Sequence, residues 1–272
     1  MKLPFVKMHG LGNDYVYIDC FSPEVAKMLA KADLAALARR ISDRHFGVGS
    51  DGLVLILPSQ EADAGMRIFN ADGSEAEMCG NAIRCVGKYL YESGLCRKPR
   101  LSVLTLAGIR SLTLQVENEA VQSVTVNMGI PQVQSDVLMR GDYPQGFTAV
   151  NMGNPHAVFF RDTVYPENMV ADYGRRIENH PHFPKGTNVE FAHVRNKKEI
   201  DVRVWERGAG VTLACGTGAC AAAVTAMWHG WTERKITVHL PGGDLLIQWE
   251  RERQPVYMTG PATEVFRGEF DI

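Results

Sequence analysis

Cys79 and Cys215 stand in matching contexts 136 residues apart, each between a polar, glycine-containing loop and the start of a helical pattern. The first closes the stretch Asn70-Ala-Asp-Gly-Ser-Glu-Ala-Glu-Met-Cys79 and is followed by Gly80 and Asn81. The second closes Glu206-Arg-Gly-Ala-Gly-Val-Thr-Leu-Ala-Cys215 and is followed by Gly216 and Thr217. An ordinary thiol of pKa about 8.5 is only a few per cent thiolate at pH 7. A helix N-terminus carries unsatisfied N–H groups and partial positive charge, which lower a thiol's pKa. A shift of about two units, roughly 2.7 kcal/mol, would make the thiolate dominant. Two neighbouring anions repel, so a pair of such sulfurs favours one thiolate and one thiol sharing a proton. That state removes a proton from one face of a carbon and returns one to the other.

The residues around the two thiols suit a zwitterionic substrate. Gly80, Asn81, Gly216 and Thr217 offer first-turn backbone N–H groups to an anion, and a carboxylate held there would have its enolate-like transition state stabilised. Glycine after each cysteine allows close approach to the backbone. Glu206 and Arg207 add a carboxylate for an ammonium group and a guanidinium for a carboxylate. Asn13, Asn70, Asn154 and Asn188 can supply amide contacts. Each asparagine read alone is equally well a turn former, and His9 and His156 beside tight turns can be caps. Together the residues point to an amino-acid substrate.

Positioning two such thiols requires two similar frameworks, and the chain repeats itself. Gly12-Asn13 recurs as Gly153-Asn154 and Gly49-Ser50-Asp51 as Gly186-Thr187-Asn188, at offsets of 141 and 137 residues. Asn70 and Glu206 each precede their cysteine by nine residues. A duplication of this length means two domain-sized lobes rather than short stacked units. Strand patterns cover 5–8, 15–19, 53–57, 66–69, 101–106, 111–116 and 121–128, with helices over 23–42 and 80–92. The second half reads as strands at 148–150, 157–160, 189–194, 200–205, 236–240, 245–249 and 256–260, with a helix over 216–228. The expectation is an α+β protein of two pseudo-symmetric lobes, each of mixed β-structure around a cysteine-led helix, with the active site between them. The lobes are placed at 1–119 and 120–262. The ownership of the final strand, 263–272, is not set by pattern.

Bulk properties narrow the function. The apolar fraction is 45% and the formal net charge is −2, so no basic face for nucleic acid or membrane is expected. The N-terminal residues lack a signal-peptide pattern and no apolar run reaches transmembrane length, so a cytoplasmic protein is expected. None of the six cysteines forms a C-x-x-C, which removes the signatures of zinc ribbons and thioredoxin-like motifs. Cys20, Cys85, Cys96 and Cys220 read as small buried hydrophobes. His180 and His182 lack further ligand candidates, so no metal is expected. Gly216-Thr-Gly218-Ala-Cys-Ala221 matches a dinucleotide fingerprint by letter but lacks its strand–turn–helix context. Composition is silent on oligomeric state, and a homodimer stays open.

At Lys7-Met-His-Gly-Leu-Gly-Asn-Asp14, Phe69 to Asn81, Gly153-Asn-Pro-His156 and Glu206 to Cys220, the chain resembles the diaminopimelate epimerase family. The motifs occur in family order along nearly the whole sequence. The resemblance implies a cofactor-independent isomerase converting LL- to meso-diaminopimelate, for lysine and cell-wall synthesis. It implies two similar lobes that close on the substrate, with the final strand returning to the first. Cys79 and Cys215 would be the acid–base thiols, assisted by His156 and Glu206. Asn13, Asn70, Asn154, Asn188, Glu206 and Arg207 would contact substrate, with backbone from Gly80, Asn81, Gly216 and Thr217. Gly52 departs from a glutamine found in some members and offers backbone only. Two rivals remain: a proline or histidine racemase of the same fold, and a thiol-disulfide switch.

Overall fold

The computed structural model describes residues 1–137 and 146–272. The chain divides into two compact units, Met1–Val126 with Pro261–Ile272, and Asn127–Gly260. The junction falls near the end of a strand, seven residues beyond the Asn118–Glu119 turn where the sequence places it.

The first unit runs β1 (Lys2–Gly10), β2 (Asn13–Asp19), α1 (Pro23–Leu29), α2 (Leu34–Ser42), β3 (Gly52–Leu57), β4 (Ala64–Asn70), β5 (Glu75–Ala76), α3 (Gly80–Glu92), β6 (Arg100–Thr105), β7 (Gly108–Glu117) and β8 (Ala120–Asn127). The second runs β9 (Gln132–Val137), β10 (Phe147–Asn151), β11 (Pro155–Phe160), α4 (Glu167–Glu178), β12 (Asn188–Asn196), β13 (Glu199–Glu206), β14 (Gly210–Thr212), α5 (Gly216–Trp228), β15 (Lys235–Leu240), β16 (Gly243–Gln248) and β17 (Tyr257–Gly260). The last strand, β18 (Thr263–Asp271), belongs to the first unit, antiparallel to β1. In the same way β9, which follows the first repeat in sequence, pairs with β10 of the second unit. Among the described residues no helix is long and apolar enough to cross a membrane.

The helix expected over 23–42 is two helices. Asp33 breaks the run because its side chain accepts a hydrogen bond from Ala36 N–H and caps a new start. The sequence reading also missed α4, whose polar face outweighs its apolar stripe of Val170, Gly174 and Ile177.

Strand registers show the duplication directly. Tyr15 pairs with Gly52 and Gly52 with Asn70; His156 pairs with Asn188, and the next pair along β12 and β13 is Val189 with Trp205, which sets Asn188 opposite Glu206. Ile68 pairs with Ala76 as Val204 pairs with Thr212. Gly49 and Gly186 both take left-handed backbone, φ 77° and 70°. The loop leading to β3 is one residue longer than that leading to β12, so the counterpart of Asn188 is Gly52 and not Asp51.

Each repeat alternates side chains between two layers, as a strand must. Leu53 and Leu55 of β3 join Leu37, Ala38 and Ile41 of α2. Val189 and Phe191 of β12 join Val170 and Ile177 of α4. The alternate positions, Val54 in one unit and Glu190 in the other, turn away from these outer clusters and are fully buried. Helix α5 is buried along almost its whole length, and α3 along ten of its thirteen residues. Small side chains, Ala219 and Ala221–Ala223, let the strands of the second unit close around α5.

Candidate active site

Cys79 and Cys215 are the N-cap residues of α3 and α5, both with extended backbone, φ −133° and −113°. Each helix has thirteen residues. Gly80 and Asn81, like Gly216 and Thr217, form the first turn, whose N–H groups have no carbonyl four residues earlier within the helix. Each unit thus presents a sulfur beside a set of helix-start donors.

In the first unit the sulfur is half-buried and faces an amide. Cys79 Sγ–H donates to Asn13 Oδ1 at 3.4 Å, and Asn81 Nδ2 donates to the same oxygen at 3.3 Å. Asn13 is held by its other end, Nδ2 donating to Asp51 Oδ2 at 2.8 Å. Asp51 in turn accepts from Arg44 at 2.8 Å, and Arg44 and Lys7 both pair with Asp14. Burial works against the Asp14 carboxylate, but hydrogen bonds from Lys7 and Arg44 hold it below its ordinary range. Burial raises Asp51. Asn70, at the end of β4, donates from Nδ2 to Ser74 Oγ at 3.0 Å. His9 is a turn cap, its Nδ1 accepting from Gly12 N–H. Gly52 admits no side chain: a Cβ there would lie 2.1 Å from the Phe69 carbonyl oxygen.

In the second unit the sulfur is buried. Cys215 Sγ accepts from Gly218 N–H at 3.4 Å and lies 3.5 Å from Thr217 Oγ1. Glu206, at the end of β13, accepts a short hydrogen bond from Thr212 Oγ1. Burial pushes the Glu206 carboxyl up. Burial also pushes the Cys215 thiol well above its ordinary value, helped by the charges of Glu206 and Glu190. The helix start alone therefore does not set this thiol. The N–H of Gly218 does favour the thiolate, but desolvation and two carboxylates outweigh it.

His156 does not cap its turn. It is buried, with Nδ1 2.7 Å from Glu190 Oε1 and Nε2 2.9 Å from Asn154 Oδ1. Asn154 Nδ2 donates to Thr217 Oγ1 at 3.3 Å. Asn188 is buried and spans two backbone groups, donating to Pro155 O at 3.1 Å and accepting from Arg207 N–H at 3.0 Å. Arg207 is exposed, with one guanidinium N–H on Lys185 O. Its loop is tethered by Glu178 of α4, which accepts from Gly208 N–H and from Trp205 Nε1.

Asn13, Cys79, Gly80 and Asn81 therefore gather in the first unit, with Asn70 at the matching end of β4. In the second, His156, Asn154, Glu206, Cys215, Gly216 and Thr217 gather, with Asn188 and Arg207 joined through the backbone. The sequence reading overlooked Asp51, Glu178, Glu190 and Thr212. Glu190 was visible as a charged residue interrupting the apolar positions of Val189 to Ala192. Among the described residues no cluster of three metal-ligating side chains occurs. The six cysteines are free thiols; burial takes Cys20 to about 12 and Cys85 to about 11, whereas Cys96 is half-buried rather than buried.

The sequence profile of the family described as "Diaminopimelate epimerase" matches residues 5–134 and 148–265. A protein of Desulfitobacterium hafniense named diaminopimelate epimerase is 51% identical, the match covering 98% of this chain and 97% of that protein. One of the same name from Methanococcus maripaludis is 49% identical, covering 99% and 100%. The crystal structure of a probable proline racemase from Agrobacterium radiobacter superposes with a TM-score of 0.75 at 18% identity, covering 99% of this chain and 93% of that one. That likeness bears on the fold alone, which the two groups of proteins share. With the profile spanning both units and identity near one half along the whole length, this chain belongs to the diaminopimelate epimerase family.

Proposed function

We propose that this protein is a cofactor-independent epimerase interconverting LL- and meso-diaminopimelate, with Cys79 and Cys215 as its two acid–base groups. The observation that carries the reading is the paired helix-capping thiol, one in each repeat, in a chain about half identical to proteins of that name. One sulfur, as thiolate, takes the α-hydrogen, and the other, as thiol, delivers its proton to the opposite face. The negative charge developing on the substrate carboxylate is met by the first-turn N–H groups of α3 and α5. Glu206, whose charge bears on Cys215, supports transfer at that sulfur, and His156 assists. The exposed Arg207 guanidinium, on a loop fixed by Asn188 and Glu178, suits a carboxylate on a second amino-acid head group. Asn13, Asn70 and Asn154 supply amide contacts. The reaction belongs to lysine and peptidoglycan-precursor synthesis and is placed in the cytoplasm.

The test is NMR of the reduced protein with LL-diaminopimelate in heavy water, without added pyridoxal phosphate. The expected result is meso product with deuterium at one α-carbon. Absence of both conversion and exchange, with exchange of proline or histidine instead, would overturn the substrate while leaving the fold in place.

A further inference from the structure

Thr212 places a hydroxyl where burial alone would select an apolar side chain. It is half-buried at the end of β14, while its chain neighbours Val211 and Leu213 are 40% and 54% exposed. A half-buried strand ordinarily runs the other way, apolar residues inward and polar ones outward. The matching strand of the first repeat does so. Ala76 pairs with Ile68 as Thr212 pairs with Val204, and Ala76 is half-buried between the exposed Glu75 and Glu77. A second exchange accompanies this one on the neighbouring strand. Where the first repeat has Asn70 the second has Glu206, and Thr212 Oγ1 donates to Glu206 Oε1. Asn70 donates instead to Ser74 within its own turn. Hydroxyl and carboxylate thus occur together in one repeat and are both replaced in the other.

Glu206 has need of such a donor. Burial favours its neutral acid, and the charge of Glu190 acts in the same direction. A hydroxyl that donates to the ionised form opposes both, and Thr212 is so placed. Its backbone pairs with Val204, two residues before Glu206 on β13, so the strand register fixes where the hydroxyl meets the carboxylate. We infer that Thr212 is a positioning residue that fixes the Glu206 carboxylate and through it supports proton transfer at Cys215. The titratable groups that bear on Glu206 are Glu190 of β12, His156 of β11 and Cys215 at the start of α5. The adjacent Arg207 is exposed, with a guanidinium N–H on Lys185 O. The inference rests on the epimerase reading above for its kinetic arm only.

Three substitutions separate the hydroxyl from the space it fills. Thr212→Val keeps the shape and deletes the hydroxyl, Thr212→Ala installs the residue of the first repeat, and Thr212→Ser keeps the donor. Hydrogen bonds to charged groups are among the stronger ones, and Thr212→Val and Thr212→Ala should each lower kcat about tenfold at neutral pH, with KM nearly unchanged. The deficit should shrink as pH rises, because losing the donor raises the pH at which Glu206 ionises and alkali restores the carboxylate. Thr212→Ser should recover most of kcat and the wild-type pH profile. In a Glu206→Gln background Thr212→Val should cost little further, as residues acting through one another are not additive. Carbon-13 NMR of glutamate-labelled protein gives a readout independent of turnover, with the Glu206 signal assigned by its loss in Glu206→Gln. That signal should titrate at higher pH in Thr212→Val than in the wild type, and near the wild type in Thr212→Ser. An unmoved Glu206 titration or an unchanged kcat in Thr212→Val and Thr212→Ala would overturn the inference. So would a full, additive loss in the Glu206→Gln background, or a serine variant as impaired as the valine one. Failure of both the valine and alanine variants to fold would assign Thr212 to stability and overturn it as well. If the wild type epimerises nothing, the reading of function fails and the Glu206 titration alone judges the role of Thr212.

Discussion

Cys79 and Cys215 cap helices of equal length at the ends of matching strands, yet they sit in opposite surroundings. The half-buried Cys79 gives its proton to a neutral amide, Asn13 Oδ1, and the charged groups Asp51, Arg44, Asp14 and Lys7 stand behind that amide. The buried Cys215 accepts from Gly218 N–H, and carboxylates stand near it. Part of the difference lies in side chains at matched registers, and part in the longer loop that carries Asp51. Tyr15, Gly52, Val54 and Asn70 in the first repeat are His156, Asn188, Glu190 and Glu206 in the second. A duplicated backbone thus sets where each sulfur stands, and substitutions on the inner strand faces set which polar groups surround it. Inversion at carbon requires such division of labour, because one sulfur must arrive as base when the other arrives as acid.

The severest way to break the comparison is to remove one sulfur. Cys79→Ala and Cys215→Ala should each lower epimerisation by at least about 10³-fold, within the range of lost general acid–base catalysis, since neither face can serve for the other. Near-normal deuterium-labelled product from either variant would dismiss the two-thiol mechanism. Next in size is Glu206→Gln, expected to lower kcat/KM by about 10²-fold. The sign of its effect on Cys215 is definite: Glu206 raises that thiol, so neutralising it makes the thiolate easier to form. Alkylation of the Cys215 peptide by iodoacetamide, followed by mass spectrometry, should therefore accelerate near pH 8 in Glu206→Gln. A slower reaction would mean that Glu206 acts otherwise than through its charge.

A milder change tests the first unit alone. Asp51→Leu releases Asn13 Nδ2 and should reduce kcat by about tenfold, a loss near 1.4 kcal/mol. The alkylation profile of Cys215 should stay as in the wild type, and a shift there would show that the two environments are not separable. The smallest effect on chemistry is expected from Gly52→Ala, which meets the Phe69 carbonyl. Its cost should appear in urea denaturation, at about 1–3 kcal/mol of overpacking, with kcat nearly intact.

Much of this arrangement was legible before the structure. Helices 80–92 and 216–228 appear at their expected bounds, because each follows a cysteine cap and ends at a Ser-Gly or His-Gly stop. The α+β class and the duplication followed from repeated motifs. Three things were not legible. The break at Asp33 depends on one capping hydrogen bond inside an alanine-rich run. Helix α4 hides its thin apolar stripe among charges. The roles of Asp51 and Glu190 depend on which neighbours lie across the strands, and local pattern carries no partner. The raised thiol of Cys215 was not legible for a related reason: the helix start is a local feature, whereas burial and the carboxylates of Glu190 and Glu206 come from other strands.

The sequence by itself determined the pair of helix-capping thiols, the two-repeat plan and the family, because motifs, caps and glycine turns are encoded in neighbouring residues. Only the tertiary structure decided that His156 is locked between Glu190 and Asn154, and that burial and the nearby carboxylates raise the Cys215 thiol. The reason is physical. Strand pairing, hydrogen-bond direction and desolvation arise between residues far apart in the chain, so they exist only once it has folded.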